Sequence, residues 1–402
     1  MAESTKERII QAAFSFYKVL NFDRVSLSQI AGRVGISKAA IFKHFKNKEA
    51  LTQEMNNRIF DSVAQVIDKM VPLYKDGRSG EAVSVMVEFL LGHREYMVYF
   101  MSVSILFDES FMVSELRKRD VKIFDSVIGT DGVVKELKTY NFYHFIGSTL
   151  MYFVMERFHD EDLKNKGQVR TNFVSPEEFS SFLCVLLENG IADKDTVIDK
   201  ERLSFIDRQC MEEMKNIRPM NKMLKVIATL VETGGVAGLT VEKIAGALGM
   251  AKSSLYSFYE NKLDMLSSLI GNEFLALQAL ISANIAVAHT ASEKVYAIMQ
   301  TEFCYFKERS ELIIMFRNLL IHNSLELVME NDENVENRNA FMDFLRSCFC
   351  DEVFNESELG WIMLLPVMLF GLSFKGFDAD VIQNSLRDVF FMVEFGINRE
   401  RI

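Results

Sequence analysis

The sequence has little proline and little cysteine. Four prolines among 402 residues, with 49% hydrophobic and 25% charged residues, exclude a disordered chain and indicate a globular, helical protein. The five cysteines, at positions 184, 210, 304, 348 and 350, form no disulfide-type framework. Cys348 and Cys350 lie close together but have no further Cys or His at ligand spacing, so this pair favours ordinary burial over a metal site.

Segments typical of secretion, membranes and catalysis are also missing. Residues 1–20 are amphipathic with mixed charge, unlike a signal peptide. The longest uncharged run, residues 359–374, contains Pro366 and is too short for a membrane span, so we predict a buried helix there. No phosphate-binding glycine loop, zinc cluster or nucleophile elbow is present. We therefore expect a cytoplasmic protein with no cofactor, no metal and no catalytic residues.

Positive charge is concentrated at one end of the chain. The net charge of −11 by itself argues against a protein that binds nucleic acid. Residues 1–60 nevertheless hold ten Lys and Arg against five Asp and Glu, a local charge of +5, whereas residues 221–270 hold five against four, or +1. The remainder carries −17. A basic end on an acidic body fits DNA binding by that end only.

Residues 27–51 predict two short helices, a tight turn and the start of a third helix. Ser26 and Gln29 have the spacing of a capping box, and Gly35 suits the left-handed residue that ends a helix. Ser37 can cap the second helix. The outer side of that helix and the residues after it are basic, with Lys38, Lys43, His44, Lys46 and Lys48. A small helix with a basic outer face, packed on a partner helix, describes a helix-turn-helix reading head.

The same pattern returns from Leu239 onwards. Ile30 and Ile244, Gly35 and Gly249, Lys38 and Lys252, and Lys48 and Lys262 are all separated by 214 positions. An internal repeat of this length predicts two related units in one polypeptide.

Both segments resemble the DNA-binding region of the TetR family of repressors. The first carries the motif residues Ala12-Ala13, Ile30-Ala31, Gly35 to Lys38, Ile41-Phe42, His44-Phe45, Lys48-Glu49 and Leu51. The resemblance implies an all-α fold with two TetR-like units. Each unit has a three-helix helix-turn-helix domain and a helical ligand-binding and dimerisation domain. The two units would form a single-chain pseudo-dimer, although further homodimerisation of the tandem chain stays open.

The predicted domains follow from this resemblance. They are a helix-turn-helix domain at 1–50, an effector and dimerisation domain at 51–191, a helical linker at 192–219, a second helix-turn-helix domain at 220–264 and a second effector domain at 265–402. Further helices are predicted at 81–92, 94–107, 110–128, 132–139, 141–158, 176–189, 261–285, 359–375 and 379–396.

By position, the resemblance also implies the DNA contacts. In the first head these are Ser26, Ser37, Lys38, Ala39, Phe42, Lys43, His44 and Lys48; in the second they are Thr240, Lys252, Ser253, Tyr256, Ser257 and Lys262. The heads differ, since Ala251 replaces the capping Ser37 and Glu260 stands in place of Lys46. We expect the second head to bind DNA more weakly, if it still binds.

The remaining helices predict an effector pocket. The 34 Phe and 22 Met can line an apolar cavity for a small, apolar effector, although most will be plain core. Polar candidates, each of which also fits a structural role, are His93, Tyr96, His144, Arg157, Tyr305 and Arg317. The resemblance implies a ligand-responsive repressor on a pseudo-palindromic or asymmetric operator. The alternative is a helical small-molecule-sensing or protein-interaction module in which one or both heads no longer bind DNA.

Overall fold

The computed structural model describes residues 4–16, 25–97, 109–123, 125, 127–128, 134–164, 175–193, 195–234, 238–313, 315, 332–349, 356–369 and 378–397. These residues form helices and no strand, with one isolated antiparallel bridge between Ile128 and Val134. The all-α prediction is therefore confirmed for this part of the chain. The helices are α1 Thr5–Phe16, α2 Leu27–Val34, α3 Lys38–Phe42, α4 Lys48–Lys75, α5 Ser79–Gly92, α6 Glu109–Arg117, α7 Leu137–Lys164, α8 Pro176–Asn189, α9 Lys200–Lys215, α10 Lys222–Gly234, α11 Val241–Leu248, α12 Lys252–Tyr256, α13 Lys262–Ile285, α14 Ala291–Glu308, α15 Asp332–Cys348, α16 Glu356–Leu369 and α17 Ala379–Phe395.

The chain divides into two compact units. The first comprises Met1–Tyr140 and Val154–Val185, and the second comprises Asn141–Phe153 and Leu186–Ile402. In the first unit, α1 packs on α2 and on the start of α4, and α2 packs on α3. Their shared core contains Ile10, Phe14, Ile30 and Ile41, all fully buried. The long helix α4 leaves this core and pairs with α5.

Two of the predicted helices are wrong in their extent. The helix predicted at 110–128 ends at Arg117, because Asp120 adopts a left-handed conformation with a φ of 61°. The amides of Asp120 and Val121 then donate to the carbonyls of Arg117 and Leu116 at 3.1 Å each, which closes the helix end. The helix predicted at 132–139 begins only at Leu137 and runs to Lys164, so it merges with the one predicted at 141–158. Most of the helix predicted at 94–107 lies outside the described residues.

A fully enclosed helix forms the centre of the second unit. Helix α14 is buried without interruption from Val295 to Phe306, and α9, α13, α16 and α17 pack around it. The segment 192–219, predicted as a helical linker, supplies α9. Its apolar stripe, formed by Leu203, Ile206, Cys210 and Met214, is buried, and α9 packs on α14, so this segment belongs to the core of the second unit. The Tyr296 hydroxyl of α14 donates to Asp207 of α9 at 2.7 Å.

The uncharged run at 359–374 forms a buried helix over its described part. Trp361, Ile362 and Leu365 of α16 are buried, as predicted for a core helix. Among the described residues, only Lys262–Ile285 is long and apolar enough to cross a membrane, and half of its most apolar window is buried against other helices.

The second unit also contains the middle of α7 and the end of α8. Trp361 Nε1 donates to Thr149 Oγ1 of α7 at 3.1 Å, and the rings of Phe145 and Phe153 lie 6.0 and 5.8 Å from the Trp361 ring. Asn141 Nδ2 donates to Asp388 of α17 at 3.0 Å. Helix α7 thus packs against α16 and α17 within the second unit.

The ends of α8 and α17 meet in a reciprocal crossing. The Ile191 amide donates to the Val393 carbonyl at 3.0 Å, and the Ile397 amide donates to the Leu187 carbonyl at 2.8 Å. Donors and acceptors are related by the same shift of 206 positions, from 187 to 393 and from 191 to 397. Each segment therefore donates one hydrogen bond to the other and accepts one from it at equivalent positions. Two copies of one surface make such exchanged contacts in an isologous interface.

Two glycines allow the backbones to approach at this crossing. Gly190 has a φ of 68°, and a Cβ there would lie 2.4 Å from backbone atoms of Glu394. Gly396 has a φ of 70°, and a Cβ there would lie 2.3 Å from the backbone of Glu188. The left-handed conformation and the close approach each require glycine.

Glu394 makes the stability of this crossing depend on pH. Its side chain is buried and accepts a hydrogen bond from the Ser292 hydroxyl, and burial raises the pKa of its carboxyl from 4.5 to about 7. A raised folded-state pKa contributes stability that is fully present below pH 4.5 and is lost as the pH rises through 7. We expect Glu394→Gln, which stays neutral, to gain stability relative to the wild type across this window. Thermal midpoints of both proteins from pH 4.5 to 8 measure the difference, and parallel pH profiles would refute it.

Candidate nucleic-acid interface

The first reading head (residues 1–50) is built on the predicted caps. Ser26 Oγ accepts from the Gln29 amide at 3.2 Å, and Gln29 Oε1 accepts from the Ser26 amide at 2.8 Å, so the capping box is confirmed. Gly35 ends α2 with a φ of 76°, also as predicted. Ser37 Oγ then accepts from the Ala40 amide at 3.1 Å and starts α3 immediately after the turn. These caps fix the angle between the two helices of the motif.

Ion pairs between α1 and α4 neutralise acids of the first head. The Glu7 carboxylate accepts from both terminal nitrogens of Arg58, at 2.8 and 2.5 Å, and these hydrogen bonds lower the pKa of Glu7. Lys6 Nζ lies 2.7 Å from Glu54 Oε1. Arg8 instead donates to the Val34 carbonyl at 2.6 Å, which ties α1 to the end of α2. These cations hold the head together and lie away from its outer helix.

The basic side chains of α3 and of the residues after it are exposed to solvent. Lys38, Lys43, His44 and Lys46 are exposed, and among the described residues they have no hydrogen-bond or ion-pair partner. Ile41 and Phe45, on the opposite side of the same segment, are buried in the head core. The candidate residues Ser26, Ser37, Ala39 and Phe42 are exposed as well, while Lys48 is half-buried at the start of α4. The result is an exposed basic face, which we call the first basic surface (Lys38, Lys43, His44, Lys46).

The second reading head (residues 220–264) has nearly the same backbone. Thr240 Oγ1 accepts from the Lys243 amide at 3.3 Å, and Gly249 ends α11 with a φ of 67°. Asn47 and Asn261 cap α4 and α13 with almost identical dihedrals, φ −159° and −156° with ψ 179° in both. Ala251 keeps the extended backbone of its counterpart Ser37 but provides no side-chain hydrogen bond.

The outer face of the second head is occupied and largely neutral. Lys252 forms an ion pair with Glu242 of α11, and its Nζ also lies 5.6 Å from the Tyr256 ring centre. Lys262 Nζ donates to the Leu239 carbonyl at 3.2 Å. Phe258 is 72% exposed at the position of His44 in the first head. The candidates Thr240, Ser253, Tyr256 and Ser257 are exposed, and Lys262 is half-buried.

Sequence reasoning missed Glu242, although its spacing of ten residues from Lys252 across a short turn was a usable signal.

The missing cap gives a matched pair of mutations. Ser37→Ala removes a helix N-cap from the first head and is expected to lower its stability by about 1 kcal/mol. Ala251→Ser adds the same hydroxyl to the second head, whose backbone already has the capping conformation, and is expected to raise stability by a similar amount. Amide hydrogen exchange of each head measures the local change. Equal protection of Ala40 in Ser37→Ala and the wild type would contradict the first half of this prediction.

The described effector candidates are divided between the two units. In the first unit, the rings of His93 and Tyr96 stack at 4.8 Å, and Tyr96 packs 4.9 Å from Phe14 inside the core of the first head. Arg157 pairs with Glu161 at 3.4 Å.

In the second unit, the Tyr305 hydroxyl donates to Glu273 at 2.6 Å, and Arg309 pairs with the same carboxylate at 3.0 Å. His144 is half-buried on α7, and Arg317 lies outside the described residues. Tyr305 therefore has a structural partner, and an effector role for any of these six residues stays a prediction.

Comparison with known families supports the assignment of the first head. Residues 9–55 match the family described as bacterial regulatory proteins, tetR family. This range covers the caps, the turn and the whole of the first basic surface. Regulators of this family are generally non-enzymatic DNA-binding proteins. The match supports a transcriptional regulator of the TetR family that carries its helix-turn-helix domain at the start of the chain.

Proposed function

We propose that the chain is a ligand-responsive transcriptional repressor that binds operator DNA as a single-chain pseudo-dimer with two unequal heads. The observation that carries the proposal is the reciprocal crossing of α8 and α17, together with the exposed basic face of the first head. The reciprocal crossing supports a pairing of two repeats, which a protein that binds two half-sites needs. The exposed basic face supplies positive charge that binds phosphate.

Repeated local geometry supports a tandem duplication. Beyond the matching caps of the two heads, α5 ends at His93 and α14 ends at Arg309 with the same φ of −131° and with ψ of 51° and 47°. Three residues further on, the amides of Tyr96 and Leu312 donate back to the carbonyls of His93 and Arg309 at 2.9 Å each. The start of α4 and the end of α5 thus have the same backbone conformations as the start of α13 and the end of α14, in the same order along the chain.

Release of DNA would follow from a change in head geometry. Tyr96 belongs to the effector domain of the first repeat but packs in the core of the first head, and α4 runs from the head into its pairing with α5. In this proposal a small apolar ligand binds more tightly to an arrangement of these helices that does not fit DNA. The difference between its affinities for the two arrangements sets how far it shifts the protein away from the DNA-binding one.

A footprint with measured stoichiometry tests the proposal. The purified chain is titrated on the DNA upstream of its own gene, and the mass of the complex is determined by analytical ultracentrifugation. Two protected half-sites about one helical turn apart, with one chain per duplex, are the expected result. Four half-sites with two chains would replace the single-chain pseudo-dimer with a dimer of tandem chains. No protection at low salt, there or on random genomic fragments, would reject DNA binding.

A second candidate function is favoured by one observation on the second head. Its outer face pairs Lys252 with Glu242 and exposes Phe258, which is unusual for a DNA reader and typical of a surface that binds protein. In this alternative the first head alone binds DNA, or neither does, and the chain acts as a sensing or interaction module. A footprint of one half-site would favour it.

A further inference from the structure

The two heads place different side chains at one equivalent position. Glu242 lies in the first turn of α11 and is exposed, and 214 positions earlier its counterpart in α2 is the exposed Ser28. Helix α11 is the supporting helix of the motif, yet its Glu242 reaches across to Lys252 at the start of α12. The equivalent Lys38 in the first head has no ion-pair partner among the described residues.

An ion pair at this position competes with DNA. Lys252 starts the outer helix, where the resemblance of the heads places a lysine beside a phosphate. The Glu242 carboxylate accepts a charge-assisted hydrogen bond from Lys252, as a phosphate oxygen would. Its negative charge also repels the phosphate itself. The hydrogen bond to Lys252 lowers the pKa of Glu242, so the carboxylate stays charged at neutral pH.

Other differences act in the same direction but do not involve this lysine. Glu260 replaces Lys46, and Ser257 replaces Lys43, so the second head has fewer cations to begin with. Lys252 is the cation that it retains on the outer helix itself. The state of Lys252 therefore decides whether this helix offers a positive charge to a phosphate.

We propose that Glu242 weakens DNA binding by the second head, because it occupies Lys252 in place of a DNA phosphate. This inference rests on the proposed function, because it concerns how the second head binds DNA. Removal of Glu242 then releases one additional phosphate contact, and transfer of a Glu to position 28 removes one from the first head.

The test is a reciprocal exchange in the full-length chain. Binding to a fluorescein-labelled random duplex of about 30 base pairs is measured by anisotropy between about 50 and 200 mM salt, since phosphate contacts do not depend on sequence. We expect Glu242→Ser to tighten binding roughly threefold to tenfold and to steepen the slope of log K against log salt by about 0.9. Ser28→Glu, by the same reasoning, weakens binding and flattens the slope by a similar amount.

Two controls separate release of Lys252 from a general change in charge. Glu212→Ser removes an acid from an exposed ion pair with Lys215 on α9, outside both heads, and should have less than half the effect. In a Lys252→Ala background, Glu242→Ser should lose most of its effect, which the double-mutant cycle reports as coupling. Circular dichroism of each variant confirms that the helices are retained.

Several results would overturn the inference. Equal effects of Glu242→Ser and Glu212→Ser, or a full effect in the Lys252→Ala background, would show that only net charge matters. Weaker binding by Glu242→Ser would show that this carboxylate itself makes a favourable DNA contact, such as acceptance from a cytosine amino group. If the wild-type chain binds no DNA at low salt, the proposed function fails first and this inference fails with it.

Discussion

Gly190→Ala is expected to destabilise the second unit by about 3 kcal/mol. A left-handed conformation costs an L-residue about 1–2 kcal/mol, and forcing an extra carbon into a packed contact costs about 1–3 kcal/mol. Here the new Cβ would lie 2.4 Å from the Glu394 backbone, which belongs to a helix end and has little freedom to move. Trp361, the single tryptophan, is buried in the same unit and reports urea unfolding through its fluorescence.

Gly249→Ala is the matched control for this substitution. Gly249 has nearly the same φ, 67° against 68°, but a Cβ there meets nothing within 4 Å. Gly249→Ala should therefore lower the free energy of unfolding only by the cost of the left-handed conformation, about 1 kcal/mol. Gly396→Ala repeats the test on the other side of the crossing and should resemble Gly190→Ala. Equal midpoints for the Gly190 and Gly249 variants would mean that the close approach of the two backbones does not exist in solution.

Reversal of two charges on the first basic surface is expected to lower DNA affinity about 100-fold. Lys38→Glu together with Lys43→Glu removes two exposed cations without disturbing any hydrogen bond or ion pair of the described residues. Each lost phosphate contact lowers affinity roughly tenfold and flattens the salt slope by about 0.9. Anisotropy titrations on the same random duplex at several salt concentrations measure both quantities.

A control with the same net charge distinguishes contact from long-range repulsion. Lys69→Glu with Lys75→Glu reverses two exposed lysines on the distal part of α4, outside the head. This pair should reduce affinity only slightly, and less at higher salt because the charges are screened beyond about 10 Å. Similar losses in both double variants would show that Lys38 and Lys43 act through net charge and do not lie at the interface.

The sequence predicted the first head well because its determinants are local. The caps at Ser26, Gln29, Gly35 and Ser37 act over a few residues, so their spacing alone predicts the helix ends that the structure confirms. The same holds for α8, whose Pro176 lies at its first position and whose predicted bounds are those observed.

The sequence failed where contacts are not local. The helix predicted at 110–128 was wrong because Asp120, which is not a residue that reliably breaks helices, takes a left-handed conformation. The role of 192–219 was incompletely predicted, since its apolar stripe was visible but its packing partner α14 lies about 90 positions away. The ion pair of Glu242 with Lys252 likewise required two helices to be placed in space.

The reciprocal crossing also bears on how the protein responds to dilution. The hydrogen bonds from Ile191 to Val393 and from Ile397 to Leu187 form within one polypeptide, so no encounter between molecules precedes them. Segments joined by a chain experience an effective concentration on the order of millimolar. The pairing of α8 with α17 therefore does not depend on the protein concentration, and dilution of the chain should leave these hydrogen bonds intact.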